Sequence, residues 1–221
     1  MKEITYEYIK TSKDIKTYIT RADDTLIAMG YTEHSFAHVT KCAIKCSEIL
    51  EKLGFDARIC ELGKIAGYMH DIGNVINRID HAQSGAVMAF RLLDKVGMCA
   101  DEIATVISAI GNHDEATATP INAVAAALIL ADKSDVRRSR VRSVDVSSFD
   151  IHDRVNYAVV ESDFTLDTSL NTITLSLKID TEICAVMDYF EIFLSRMLLC
   201  RRAAEYLGLK FKLAINGVSL L

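Results

Sequence analysis

Hydrophobic positions keep a helical period through the first two thirds of the chain and then switch to a strand period. The helical part predicts elements over residues 12–29 and 32–53, the second opened by Thr32 as N-cap and closed at Gly54. From Ile59 to Asn74, ICELGKIAGYMHDIGN, apolar or small residues fall at Ile59, Leu62, Ile65, Ala66 and Met69, the spacing of one buried helix face. Asp56 is placed to cap this helix and Gly73 to stop it. Another helix is predicted from Gly85 to Val96, with Gly97 as its cap. Asp101 is placed to cap the next, whose Ile103, Val106, Ile107 and Ile110 lead to His113-Asp114. Thr119-Pro120 then opens INAVAAALILADKSD, with proline at the first helical position, where its missing N–H costs nothing. That helix is apolar almost all round, which places it at the centre of the core.

Beyond residue 150 the pattern alternates. Tyr157–Thr168 and Thr172–Ile179 read as strands joined by a turn at Ser169–Asn171, residues 182–207 as a long amphipathic helix, and Leu209–Ile215 as a further strand. The expected fold class is mainly α: a helical bundle in residues 1–150, then a small C-terminal α+β unit in residues 151–221 made of a β-hairpin, a long helix and a further strand. Ile183, Val186, Phe190, Phe193 and Leu194 are expected to bury against the hairpin, unless the unit caps the active site or forms a dimer interface. If Leu209–Ile215 is an exposed edge, it can pair with a second chain to give a homodimer.

Composition acts mostly by exclusion. Half of the residues are apolar and a quarter charged, ordinary for a globular domain, and a net charge of -5 argues against a long nucleic acid as partner. The six cysteines form no CxxC pair and read as reduced thiols of a cytoplasmic protein. The N-terminal MKEITYEYIK lacks a continuous apolar region, and the longest uncharged apolar run, Ile121 to Ala131, is too short to span a bilayer, so no membrane is expected.

The candidate chemistry lies at helix ends. His70-Asp71 closes a buried helix, where an unpaired charge is costly and a metal ion would satisfy imidazole and carboxylate together. Asp132 meets the same burial problem at the end of the apolar helix, and His81 and His113 lie beside other helix ends. His34 and His38, four residues apart, share one helix face; a metal pair and an ordinary core-and-surface pair both remain open. Lys133, Arg137, Arg138, Arg140 and Arg142 form a basic cluster that suits either a solvated face or phosphate contact. A second dipeptide, His152-Asp153, follows the helical part, precedes a strand and reads as a decoy.

Taken in order, the strings HSFAHV, MHDIGN, DHAQSGA, AIGNHDE and LILADKSD resemble the HD superfamily of metal-dependent phosphohydrolases over roughly residues 30 to 135. The resemblance implies an all-helical domain in which His34, His70, Asp71 and Asp132 bind one metal. His81 and His113 resemble the extra ligands of the two-metal subgroup, with Asp71 bridging and His38 packed behind the site. It further implies catalytic roles for Asp71 and Lys133 and substrate contact from Lys133 and at Asn74, which stands where related chains read HDIGK; from the basic cluster, Arg137 and Arg138 are the further candidates for substrate contact. An imidazole and carboxylate set without thiolates suits one or two divalent cations from among Fe, Mn, Zn, Co and Ni. The expected activity is hydrolysis of a small phosphoester or nucleotide by a metal-activated water. No GxSxG elbow, P-loop or catalytic cysteine motif supplies another nucleophile. NHDEATATP departs from the cyclic-dinucleotide phosphodiesterase branch, and the six-ligand pattern is closer to small bacterial HD hydrolases that split diadenosine tetraphosphate. The alternatives are a metal-containing nucleotide sensor without turnover and a di-iron HD oxygenase.

Overall fold

The computed structural model describes residues 3–142 and 149–220. Its helices are α1 (Tyr6–Thr11), α2 (Lys13–Ala28), α3 (Phe36–Lys52), α4 (Ala57–Met69), α5 (His81–Lys95), α6 (Ala100–Gly111), α7 (Ala123–Lys133), α8 (Ile151–Ala158) and α9 (Val186–Tyr206). Short 3-10 turns at Ile72–Val75 and Arg138–Arg140 follow α4 and α7. The strands are β1 (Val159–Asp167), β2 (Thr172–Ile179), β3 (Lys210–Ile215) and β4 (Val218–Ser219). This is the mainly α bundle with a C-terminal α+β unit that the periodicity predicts. Among the described residues, no helix is long and apolar enough to cross a membrane.

The capping chemistry explains several helix starts. Asp56 accepts from the Ile59 N–H and opens α4, as its position predicts. α3 begins at Ser35 rather than Thr32, because residues 32–35 are pinned outward: the Glu33 N–H donates to Arg140 O at 2.8 Å and the His34 N–H to an Asp23 carboxylate oxygen at 3.0 Å. α7 begins after Asn122, whose side-chain oxygen accepts from the Ala125 N–H at 2.7 Å, so Pro120 lies ahead of the helix instead of at its first position. α6 opens from Cys99 with Asp101 in its first turn, where a carboxylate favours the helix dipole without capping it.

Two glycines set how closely the bundle packs. A Cβ on Gly67 of α4 would lie 2.7 Å from the Ala43 Cα of α3, so these helices touch backbone to backbone. A Cβ on Gly73 would lie 2.0 Å from the His81 carbonyl oxygen and 2.5 Å from the Gly85 nitrogen. Gly73 therefore lets the turn after α4 press against the start of α5, and it carries His81 toward His70-Asp71.

α7 is buried along its length, from Val124 to Lys133, which is why its sequence shows no polar stripe. It packs against α3, α4 and α6 of the N-terminal bundle and against α9 from the C-terminal unit. One apolar cluster runs from Leu128 and Leu130 through Met197 and Cys200 to Leu213, without a break at the 150/151 division. The sheet has the order β1-β2-β3-β4, with β2 and β3 parallel through the α9 crossover. The segment Leu209–Ile215 is an edge only in part: β3 pairs along its length with β2 on one side, and at Ala214 and Ile215 with β4 on the other. The crossover helix feeds the last long strand back beside β2, and the two-residue β4 covers part of its far side.

Candidate metal centre

α3, α4, α5, α6 and α7 each present a histidine or carboxylate to one buried point. His38, His70, Asp71, His81, His113 and Asp132 are all buried, at 0–8% exposure, which no set of unpaired polar side chains tolerates cheaply. His38 Nε2 lies 3.2 Å from Asp132 Oδ1 and 3.6 Å from Asp71 Oδ2. His70 Nε2 lies 3.2 Å from Asp71 Oδ2 and 3.7 Å from Asp132 Oδ1. The other oxygen of Asp71 faces a second pair: Oδ1 is 3.6 Å from His81 Nε2 and 4.0 Å from His113 Nε2, which are 3.2 Å from each other. Asp71 is the shared member of both groups.

The spacing, tautomers and charge fit divalent cations. Two donors bound about 2.1 Å from one ion stand about 3.0–3.4 Å apart at right-angled to tetrahedral geometry, close to the separations found here. His70 Nε2 and Asp71 Oδ2 are buried without a hydrogen-bond partner among the described residues. Each imidazole is anchored through Nδ1: His70 donates to Gly67 O at 2.8 Å, His81 to Arg78 O at 3.0 Å, His113 to Ile110 O at 2.6 Å, and His38 to Asp135 Oδ2 at 2.8 Å. Carbonyl oxygens cannot donate, so Nδ1 holds the proton in these rings and Nε2 presents a lone pair inward. Burial opposes charge on His70, yet the Asp71 and Asp132 carboxylates outweigh it and push its pKa up to about 10. The two carboxylates thus favour a positive charge at this point, either a second proton on the His70 ring or a cation in that proton's place. Cys42 Sγ, 3.6 Å from His38 Nε2, adds a thiol beside the first group, with its pKa raised by burial.

A cavity of about 540 Å³ opens onto Asp71, His81, His113 and Asp132. His34 lines it, but its Nδ1 donates to Thr32 O at 2.7 Å and its ring meets His38 edge-on at 5.4 Å, outside the tight donor groups. The histidine that enters the cluster on this helix is His38, drawn inward by Asp135. Asn74, expected to face substrate, is wholly buried behind Asp71 and donates to both its carbonyl and Oδ1 at 2.9 Å. Lys133 lines the cavity, 2.6 Å from Asp132 Oδ2 and 3.3 Å from a Glu115 oxygen; burial opposes its charge, but these carboxylates raise its pKa. Arg137 and Arg138, expected to contact phosphate, turn away because the chain extends after Ser134. Arg137 binds Asp135 and Glu33, and Arg138 donates to Tyr157 O and stacks on the Tyr157 ring.

Other cations take their place on the wall: Arg78, Arg140 and Arg196. Arg140 is spent on Glu33 O and Asp135 O, at 2.9 Å each. Arg78 lies 3.3 Å from His81 Nε2 and over the Tyr31 ring. His152 and Asp153 line the outer part of the cavity from α8, with the His152 side chain 58% exposed and no contact to the donor groups. The spacing of Arg78 three residues before His81 was a readable signal, whereas nothing local marks Arg196.

The HD domain family profile matches residues 35–142. This stretch is an HD domain. The matched span starts one residue after His34 and contains His38, His70, Asp71, His81, His113 and Asp132. A crystal structure of a predicted HD superfamily hydrolase from an uncultured Thermotogales bacterium is 25% identical, covering 59% of this chain and 73% of its own, with a TM-score of 0.44. Comparison with curated proteins returns no match. The HD domain ends near the 3-10 turn after α7, so the sheet stands outside it, as do α8 and α9, which complete the cavity wall.

Proposed function

We propose that this chain is a metal-dependent phosphohydrolase acting on a small phosphorylated molecule. The observation that carries the reading is Asp71: one carboxylate shared by two buried histidine-containing groups, each at ligand spacing. In this reading His38, His70, Asp71 and Asp132 hold one divalent cation, and Asp71, His81 and His113 hold a second. When bound, such a cation pair supplies charge stabilisation for a phosphoryl oxygen and a lowered pKa for a water.

The protein's own residues position the rest. Asn74 donates to both the Asp71 backbone carbonyl and its Oδ1, tying that oxygen to its own main chain so that Oδ2 stays turned to the first group and Oδ1 to the second. Asp135 fixes the His38 ring and is itself held by Lys41 at 2.6 Å and Arg137 at 3.0 Å. Its carboxyl is kept far below the usual range: burial opposes ionisation, and His38 and Arg140 overcome it. Lys133 and Arg78 stand on the cavity wall to bind phosphoryl oxygens. A nucleotide is one substrate whose size suits the cavity.

Metal analysis of protein purified without chelator tests this. Two divalent ions per chain are expected, falling to one or fewer in His81→Ala and to none in Asp71→Ala, together with metal-dependent release of phosphate from a panel of phosphoesters. Phosphate release that survives Asp71→Ala in folded protein overturns the proposal. An optical band of a mixed-valent iron pair with oxygen consumption would replace it with the oxygenase reading.

A further inference from the structure

We infer that the C-terminal unit supplies a substrate-binding residue to the HD site: Arg196 of α9, which clamps the anionic group of the substrate opposite the metal-binding face. The inference rests on the phosphohydrolase reading and narrows it to substrates whose phosphate is terminal and reaches a pocket closed by α9.

Three observations converge. Arg196 lines the same cavity as Asp71 and His113, although its helix lies beyond the HD domain. Its Nε donates to Glu115 Oε1 at 2.8 Å, and its guanidinium lies 4.2 Å from the centre of the Phe193 ring. Its two terminal nitrogens have no hydrogen bond among the described residues, so the two-pronged end of the fork is open while the stem is fixed. Glu115 holds a second cation as well, with Lys133 Nζ 3.3 Å from its other oxygen. A single carboxylate therefore sets an arginine and a lysine side by side next to the donor groups.

The charge count favours an anion. The cavity wall carries five carboxylates and four cations, near balance before any metal. One or two divalent cations leave a net positive site, which an incoming phosphate would neutralise. Burial and the neighbouring Glu115 and Asp132 carboxylates act in opposite directions on Arg196 and leave it firmly protonated. The fixed planar fork matches two phosphoryl oxygens, a geometry that a lysine cannot reproduce.

The test titrates inorganic phosphate into the metal-loaded full chain by calorimetry, for wild type, Arg196→Gln, Arg196→Lys and the exposed control Arg201→Gln on the same helix. Arg196→Gln is expected to weaken phosphate binding about tenfold or more with metal content unchanged, and Arg201→Gln to leave it as in wild type. Arg196→Lys keeps the charge and loses the fork, and a loss of at least about threefold is expected; it carries the test if the glutamine variant does not fold. Undiminished affinity in a folded Arg196 variant, or no phosphate binding by wild type, overturns the inference. Phosphate held through Arg196 without turnover of any phosphoester would keep the clamp and overturn the hydrolase reading. Turnover with phosphate affinity indifferent to Arg196 would do the reverse.

Discussion

His34 and His38 are four positions apart in sequence, but His34 lies ahead of α3 and His38 within it, and a single carboxylate 97 positions away fixes the second. Asp135 accepts a hydrogen bond from the Nδ1–H of His38 and aims Nε2 at Asp132 and Asp71. The His34 ring is held by the Thr32 carbonyl and stays at the cavity wall. Removing an outer partner of a metal ligand already costs about 10–100-fold in metal affinity. His38→Ala is therefore expected to lower metal affinity by about tenfold or more, measured by competition with a chelator, whereas His34→Ala keeps the stoichiometry of the parent. The opposite ranking would return His34 to the metal. Which of the two histidines enters the cluster was not legible in HSFAH, since i and i+4 share a face and the deciding carboxylate lies on the far side of α7. His70, Asp71, His81, His113 and Asp132 were legible, because each closes or opens an apolar helix whose burial leaves a polar end group without water.

At the scale of elements, the site depends on how closely the turn after α4 meets the start of α5. Asp80 adopts a left-handed conformation, φ 56°, immediately before α5, so that His81 becomes the first residue of the helix and points back at Asp71. Gly73 makes room for this approach. Gly73→Ala must push backbone atoms apart, and a loss of about 1–3 kcal/mol is expected from denaturant unfolding, with the second metal lost before the first. Unchanged stability and two bound metals would show that the turn can yield without moving His81. The glycine was readable as a helix stop; its closer role, a contact between two backbones, exists only once α5 has packed. The same holds for Arg137 and Arg138. A basic run beside Asp132 pointed to phosphate, but the extended backbone after Ser134 turned these side chains to Glu33, Asp135 and Tyr157, where they tie the segment down.

For the whole molecule, the question is whether residues 1–150 stand alone. α7 is covered on one side by the HD helices and on another by α9, and the apolar cluster crosses the division. Cutting the chain after residue 150 strips α9 from the all-apolar α7, and each large side chain laid bare forfeits about 1.5–3 kcal/mol of burial. A chain ending at residue 150 is expected to lose its cooperative thermal transition and to bind a hydrophobic dye. A sharp transition in that fragment would establish it as an independent domain. The arrangement also gives the C-terminal unit a functional reason to stay attached, since α8 and α9 form the cavity wall that the HD domain lacks.

The helical bundle, the β-hairpin, the long helix after it and most of the buried histidine and carboxylate cluster were legible in the amino-acid sequence. Periodicity records which faces must leave water, and a histidine or aspartate at the end of such a face announces a buried partner. Tertiary structure decided what no local pattern encodes: that His38 and not His34 enters the buried cluster, that Asn74 and Arg137 support rather than face the cavity, that β3 lies between β2 and the short β4, and that Arg196 reaches the cavity from α9. Each of these depends on a contact between residues far apart in the chain. Such contacts are set by the packing of whole elements, after the local periods have been satisfied.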